Sequence, residues 1–334
     1  MKIVPFEDEM LPQAAGLLAQ QQKRCRISLP ELPARFEERE AALEAVSALW
    51  DKKHREGFAA LVGEQMVAYL IGDRVVENAS WGRSGWMRPA GCAYDVGAGV
   101  EVVRDLYAAL GERWVDQGIF IHVAQVLTAD PALVQAWHSL SFGIEQVHGL
   151  LNLEARGGSR PELPHGLSIR RARPGDGPVL RAFADVIWRV QVRAPVWGVM
   201  IPEAAGETAA AWADMVQDDE ALVWIAFRQD EAVGVQAFWP ADLDDRQLYI
   251  PEGCVHLSVA GTKPETRGEG IGSVMTRFTL AEVRQMGFQY CEADWRSTNL
   301  LASRFWPRRG FRPAVYRLSR RVDERILWAR GQEA

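Results

Sequence analysis

Residues 262–273, TKPETRGEGIGS, set Gly268, Gly270 and Gly272 beside Arg267, between a strand-like run (CVHLSVAGT) and a helix-like one (GSVMTRFTLAEVRQMG). Glycines so spaced let the backbone turn tightly and point several N–H groups at one place. The helix start adds its partial positive charge, and Arg267 adds a full one. The chemistry this suits is binding of an anion the size of a pyrophosphate. A dinucleotide-binding loop has another spacing, Gly-x-Gly-x-x-Gly, and opens a parallel βαβ unit. Here the loop comes late, after a hairpin, with the spacing Arg-x-x-Gly-x-Gly, and no Gly-Lys-Ser/Thr follows to make a P-loop.

Two further positions could handle protons. His256 lies on the strand leading to the loop, eleven residues before Arg267. An imidazole with a near-neutral reference pKa can serve as a base; a half-buried strand histidine bonded to the backbone is the alternative. On the next strand Asp294 and Arg296 flank Trp295. Strand alternation puts the two charges on one face, where Asp294 would assist a base or simply form a surface ion pair. The four cysteines, Cys25, Cys92, Cys254 and Cys291, are scattered without the spacing of a zinc or redox site. They read as reduced, buried thiols. No metal is expected, and no Cys–His pair stands out for a covalent intermediate.

These residues need strands and helices to hold them, and the chain supplies the set twice. Residues 156–166, RGGSRPELPHG, carry glycine, proline and charge without an apolar period, so they read as a linker between 1–155 and 167–334. At an offset of 169 positions Gly118 falls on Gly287, Asp130 on Asn299, Trp137 on Trp306 and Phe142 on Phe311. Such a set of matches at one offset predicts a duplicated fold. Each half reads as strand, helices, hairpin, strand, helix, strand, helix and closing strand, which predicts an α/β mixed sheet with helices on both faces. At the loop the halves differ: Arg267, Gly270 and Gly272 fall on Ala98, Glu101 and Val103. A glutamate there would repel a pyrophosphate, so the first half is expected to keep the fold and lose the site.

The run from Arg267 to Gly272, RGEGIG, resembles the Q/R-x-x-G-x-G/A motif of the Gcn5-related N-acetyltransferase (GNAT) superfamily. Asn299, Ala302, Phe305, Trp306 and Gly310-Phe311 resemble its second cofactor motif, N-x-x-A-x-x-F-Y-x-x-x-G-F. The resemblance implies two tandem GNAT-like acyl-coenzyme A N-acyltransferase domains. It implies that acetyl-coenzyme A, or another short acyl-coenzyme A, is co-substrate. The backbone of Arg267, Gly268, Glu269, Gly270, Ile271, Gly272 and Ser273 would then hold the pyrophosphate, and Gly261, Thr262 and Asn299 the pantetheine arm. The thioester would lie where the strands around Leu257 and Ala293 part. In histone-type members a glutamate base occupies the position of His256. The family often has tyrosine, as acid, where this chain has Trp306, whose indole cannot release a proton at useful pH. Tyr316, water, or unassisted departure of the thiolate would replace it, and Trp306 would pack against the cofactor or in the core. The resulting expectation is direct transfer of the acyl group to a primary amine of a small molecule or peptide. A non-catalytic acyl-coenzyme A sensor is the alternative.

Composition limits the partners. The chain has 334 residues, 48% of them apolar, enough for two cores. Its net charge of -6 disfavours nucleic acid and is compatible with a cationic acceptor. The N-terminus lacks the pattern of a secretory signal and the apolar runs are strand-length, so a cytoplasmic protein off the membrane is expected. Trp81 and Trp86, in a glycine-rich loop, either line a pocket or cap the loop. Nothing in the chain points to an oligomeric state.

Overall fold

The structure is a computed structural model that describes residues 1–76, 82–243 and 248–331; Trp81 lies outside the described residues. The first half carries strands β1 (Lys2–Pro5), β2 (Arg55–Val62), β3 (Gln65–Val75), β4 (Ser84–Met87), β5 (Cys92–Tyr94), β6 (Ile121–Leu127) and β7 (Gly143–Asn152). Its helices are α1 (Leu11–Ser28), α2 (Arg39–Trp50), α3 (Glu101–Asp116), α4 (Pro131–Ser139) and α5 (Leu153–Arg156). The second half carries β8 (Leu167–Arg171), β9 (Leu222–Arg228), β10 (Glu231–Pro240), β11 (Cys254–Thr262), β12 (Tyr290–Arg296) and β13 (Arg312–Arg321). Between them run α6 (Gly177–Phe183), α7 (Trp188–Gln191), α8 (Ala205–Asp214), α9 (Ile271–Gln285), α10 (Ala302–Phe305) and α11 (Ile326–Arg330). The repeat survives as geometry: β6 and β12 start 169 positions apart, as do β7 and β13. Trp137 meets Phe142 edge-on at 4.9 Å, and Trp306 meets Phe311 at 5.3 Å.

The compact units do not follow the linker expected at 156–166. One unit comprises 1–148, 242–251 and 313–334; the other comprises 149–241 and 252–312. In the first unit the strand order is β1-β2-β3-β4-β6-β13, with β5 against β3. Strand β13, although last in sequence, pairs antiparallel with β6 from Val315 opposite Leu127 to Arg321 opposite Ile121. Leu248 is buried in the cluster of Phe6, Leu18 and Trp50, and its carbonyl accepts from Gln22 Nε2 at 3.1 Å. Residues from the second half of the sequence thus complete the first unit, because a β edge and an apolar side chain bury wherever a partner is offered. At α3, where the second half has its glycine loop, the first turn carries Glu101, paired with Arg104 at 2.6 Å, while Val103 is fully buried.

The second unit has the order β8-β9-β10-β11-β12, with residues 149–152 of β7 beside β12. β8 to β11 are antiparallel, and β11 and β12 are parallel. One sheet face is covered by α6 and α8, whose Leu180, Phe183 and Trp212 pack on Val235, Ala237 and Val259. Helix α9 lies on the other face, where Gln236 donates to Thr276 and accepts from Thr279. The linker is pinned within this unit: Arg284 on α9 donates to the Gly158 carbonyl at 2.6 Å, and Arg160 grips Glu282.

Candidate acyl-transfer site

The site begins with a missing pairing. β11 and β12 pair from Cys254/Tyr290 to Leu257/Ala293 and then separate. Beyond that point β11 continues on β10 alone, to Thr262 opposite Gly234. Its other edge therefore offers backbone N–H and C=O groups that an extended polar ligand could take up. The gap opens into a cleft of about 410 Å³. Val186, Ile187 and Val190 line it on one side, and Phe305 and Trp306 on another. Gly261 is required here: a Cβ on it would lie 2.4 Å from Val186 Cγ1.

At its far end the cleft meets the turn from Arg267 to Ser273. Gly268 and Gly270 take φ of +87° and +82°, and nothing stands within 4 Å of where their side chains would be. Gly270 is the N-cap of α9, and its carbonyl accepts from Ser273 and Val274, both at 3.0 Å. The N–H groups just before these have no intrahelical partner by the geometry of a helix start. The Arg267 N–H donates to the Pro264 carbonyl at 3.2 Å, while its side chain is exposed and makes no hydrogen bond or ion pair among the described residues. A glycine cradle, unpaired N–H groups and a cation together fit a pyrophosphate.

Most of the residues singled out from the sequence meet here. Gly261, Thr262, Arg267, Gly268, Gly270 and Ile271 line the cleft, as do Gly272, Ser273, Asn299 and Trp306. Glu269 does not; it turns outward to pair with Arg228. Asn299 has a second task, since its Oδ1 accepts from the N–H groups of Leu301 and Ala302 at 3.2 Å and caps the turn into α10. Trp306 is buried and also packs edge-on against Phe305, so it serves the core as well as the wall. Tyr316 packs on the core of the first unit.

His256 and Asp294 form a separate group. Ala237 pairs with Val259 and Phe238 with Leu257, so Ser258 is an extra residue, a β-bulge. The bulge reverses the alternation, placing His256 opposite Trp239 on the face covered by α6 and α8. Glu292 stands opposite His256 on β12. Its carboxylate is hydrogen-bonded to His256 Nδ1 and fully buried, and Asp294 Oδ1 is 3.9 Å from Nε2. A carboxylate on Nδ1 fixes the tautomer and leaves Nε2 as the proton acceptor. The sequence reading missed Glu292, although it lies two residues before Asp294 and so on the same face. Donor atoms of His256, Glu292 and Asp294 come within 4.8 Å of one another, a grouping that could also hold a metal ion. Trp295 faces the other way, over Gly149, where a Cβ would be 2.6 Å from the ring.

Two of the thiols, Cys254 and Cys291, lie on the strands that carry His256 and Glu292. All four cysteines are buried and free. Burial pushes Cys25 up to about 12 and raises Cys92 and Cys291 as well, so none of these three offers a thiolate. No described helix is long and apolar enough to cross a membrane.

Residues 191–311 match the model of the acetyltransferase (GNAT) family. A GCN5-related N-acetyltransferase from Sphaerobacter thermophilus superposes with a TM-score of 0.58 at 14% identity, over 96% of each chain. A tandem GNAT protein from the clavulanic acid biosynthesis pathway gives 0.50 at 14% identity, over 97% of this chain and 98% of that one. A GCN5-related glucosamine N-acetyltransferase region of a fungal multi-domain β-N-acetylglucosaminidase gives 0.53 at 17% identity, over 95% of this chain and 38% of that one. No curated protein matches the sequence. Residues 191–311 are thus similar to the acetyltransferase (GNAT) family, and the chain as a whole shares the fold of the tandem GNAT structure.

Proposed function

We propose that this protein transfers an acetyl or other short acyl group from acyl-coenzyme A directly to a primary amine of a small molecule or peptide. One observation carries the proposal: the gap between β11 and β12 leads into a cleft that ends on the anion-binding turn at Arg267–Ser273. When bound, acyl-coenzyme A would supply the thioester that activates the acyl group. Gly261 and Thr262 would hold the pantetheine arm through backbone, and the turn would hold the pyrophosphate. The backbone N–H near Thr262 would polarise a carbonyl in the gap. His256, oriented by Glu292, would take the proton of the attacking amine at Nε2, and Asp294 would draw the ammonium form toward it. Trp306 offers no acid, but a thiolate, with its parent thiol pKa near 8.5, leaves tolerably without one. Acidic balance and buried free thiols favour a cytoplasmic setting with an amine partner, away from nucleic acid and membranes.

Calorimetry with acetyl-coenzyme A tests the site. The expected result is about one equivalent bound, lost in the double variant Arg267→Ala, Gly270→Glu. Two equivalents would put a second site in the first unit, and no binding to wild type would overturn the proposal. Trp306 at the tyrosine position favours a second reading, a non-catalytic acyl-coenzyme A sensor. Turnover separates the two: free thiol released with a panel of primary amines supports the enzyme, and binding without release supports the sensor.

A further inference from the structure

A second cavity of the same unit, about 460 Å³, lies between residues 157–162 and α9. Arg156, Arg160, Arg277 and Arg284 line it, with Leu280 and Ala281 between them. Arg160 and Arg284 are engaged, the first with Glu282 and the second with the Gly158 carbonyl. Arg156 donates one N–H to the Arg309 carbonyl, and the Arg277 side chain is exposed with no hydrogen-bonded or ionic partner among the described residues. Arg309 joins this cavity to the cleft. Its guanidinium lies 3.3 Å from the Phe305 ring centroid and donates to the Ser273 hydroxyl. Its Nε is buried without a partner among the described residues.

Arg156, Arg277 and Arg309 therefore form a group of like charges with no carboxylate paired to any of them among the described residues. Burial, then Arg156, Arg308 and Arg277, push Arg309 below its ordinary value, and burial and Arg277 do the same to Arg156. Protonated guanidiniums so crowded are stabilised by an anion placed among them. The position says which anion. A ligand with its arm along β11 and its pyrophosphate on the turn must emerge past Ser273. Arg277 is one helical turn further on the same face of α9, about 6 Å along its axis.

We propose that Arg156 and Arg277, joined to the cleft through Arg309, bind the 3′-phosphomonoester of coenzyme A and make this chain selective for the 3′-phosphorylated cofactor. The proposal rests on the acyl-coenzyme A reading of the cleft. A phosphate dianion between two guanidinium forks takes charge-assisted hydrogen bonds that a 3′-hydroxyl cannot replace. This group is not legible in the sequence, because Arg156 lies in the stretch read as a linker.

The test is calorimetry on the full chain with acetyl-coenzyme A beside its 3′-dephospho analogue. Wild type is expected to bind the dephospho analogue more weakly by about tenfold or more. In Arg277→Gln the difference should shrink several-fold through weaker binding of acetyl-coenzyme A, with the analogue little changed; Arg277→Lys should restore part of it. Adenosine 3′,5′-bisphosphate should compete better than adenosine 5′-phosphate plus inorganic phosphate, which separates the ribose phosphate from any free phosphate. Equal wild-type affinities, or equal weakening of both cofactors in Arg277→Gln, would overturn the selectivity while leaving the acyl-coenzyme A site standing. Failure of both cofactors to bind would overturn the site itself.

Discussion

At the scale of single residues, the pair His256–Glu292 makes the sharpest demand. Glu292 is fully buried, and an unpaired carboxylate there would be costly. Its bond to Nδ1 satisfies it and sets the imidazole at once. Glu292→Gln keeps the shape but can present an N–H to Nδ1 and so favour the wrong tautomer. The expected effect is a fall in kcat on the order of 10²-fold with KM for acetyl-coenzyme A unchanged, together with an altered pH profile. Nitrogen NMR of the His256 ring should report the tautomer change without any substrate. A role for Glu292 in packing alone would leave both the profile and the tautomer as they were. The same three side chains make the metal question testable: if they handle protons only, dialysis against a chelator should leave thiol release unchanged, and loss restored by a divalent ion would assign them to a metal.

At the scale of elements, backbone geometry decides the site. Gly261→Ala would drive a methyl group into Val186, an overpacking expected to cost ~1–3 kcal/mol in thermal or urea unfolding and to narrow the cleft. Gly268→Ala meets no neighbour but must hold φ of +87°, costing ~1–2 kcal/mol and weakening cofactor binding more than stability. Strand β6 supplies a pH dependence of its own. His122 accepts from the Tyr107 hydroxyl at Nδ1, 2.7 Å away, and donates from Nε2 to the Ile119 carbonyl at 3.0 Å. Desolvation holds it down at about 4, against 6.5 when exposed. The unfolded chain thus binds a proton that the folded one refuses. Stability is full above about pH 6.5 and falls as pH drops toward 4, by a ceiling of about 3 kcal/mol. Urea unfolding at pH 7 and pH 5 should show the loss, and His122→Gln should flatten that slope.

At the scale of the whole molecule, the halves of the sequence are not the units of the fold. The first unit needs β13 for the open edge of β6 and Leu248 for its core. A chain cut to residues 1–166 is therefore expected to bind a hydrophobic dye and to unfold without cooperativity, and adding 167–334 separately should restore order. A cooperative, soluble 1–166 would show that β13 and residues 242–251 are dispensable.

The sequence alone determined the local features: the glycine turn, the helix it opens, the strand before it and the 169-residue repeat. These follow from residue type and short-range spacing, which is why the turn from Arg267 to Ser273 could be located with the chemistry it suits. Tertiary structure decided the rest. The bulge at Ser258 that turns His256 across the sheet is a matter of register between β10 and β11, and no single strand encodes it. Glu292 reads as one more strand residue until parallel pairing sets it against His256. Arg156 and Arg277 are separated by 121 positions and meet only because the stretch after α5 is pinned to α9. The two units could not be read from the linker, because strand edges and apolar side chains are satisfied by whichever part of the chain reaches them in space.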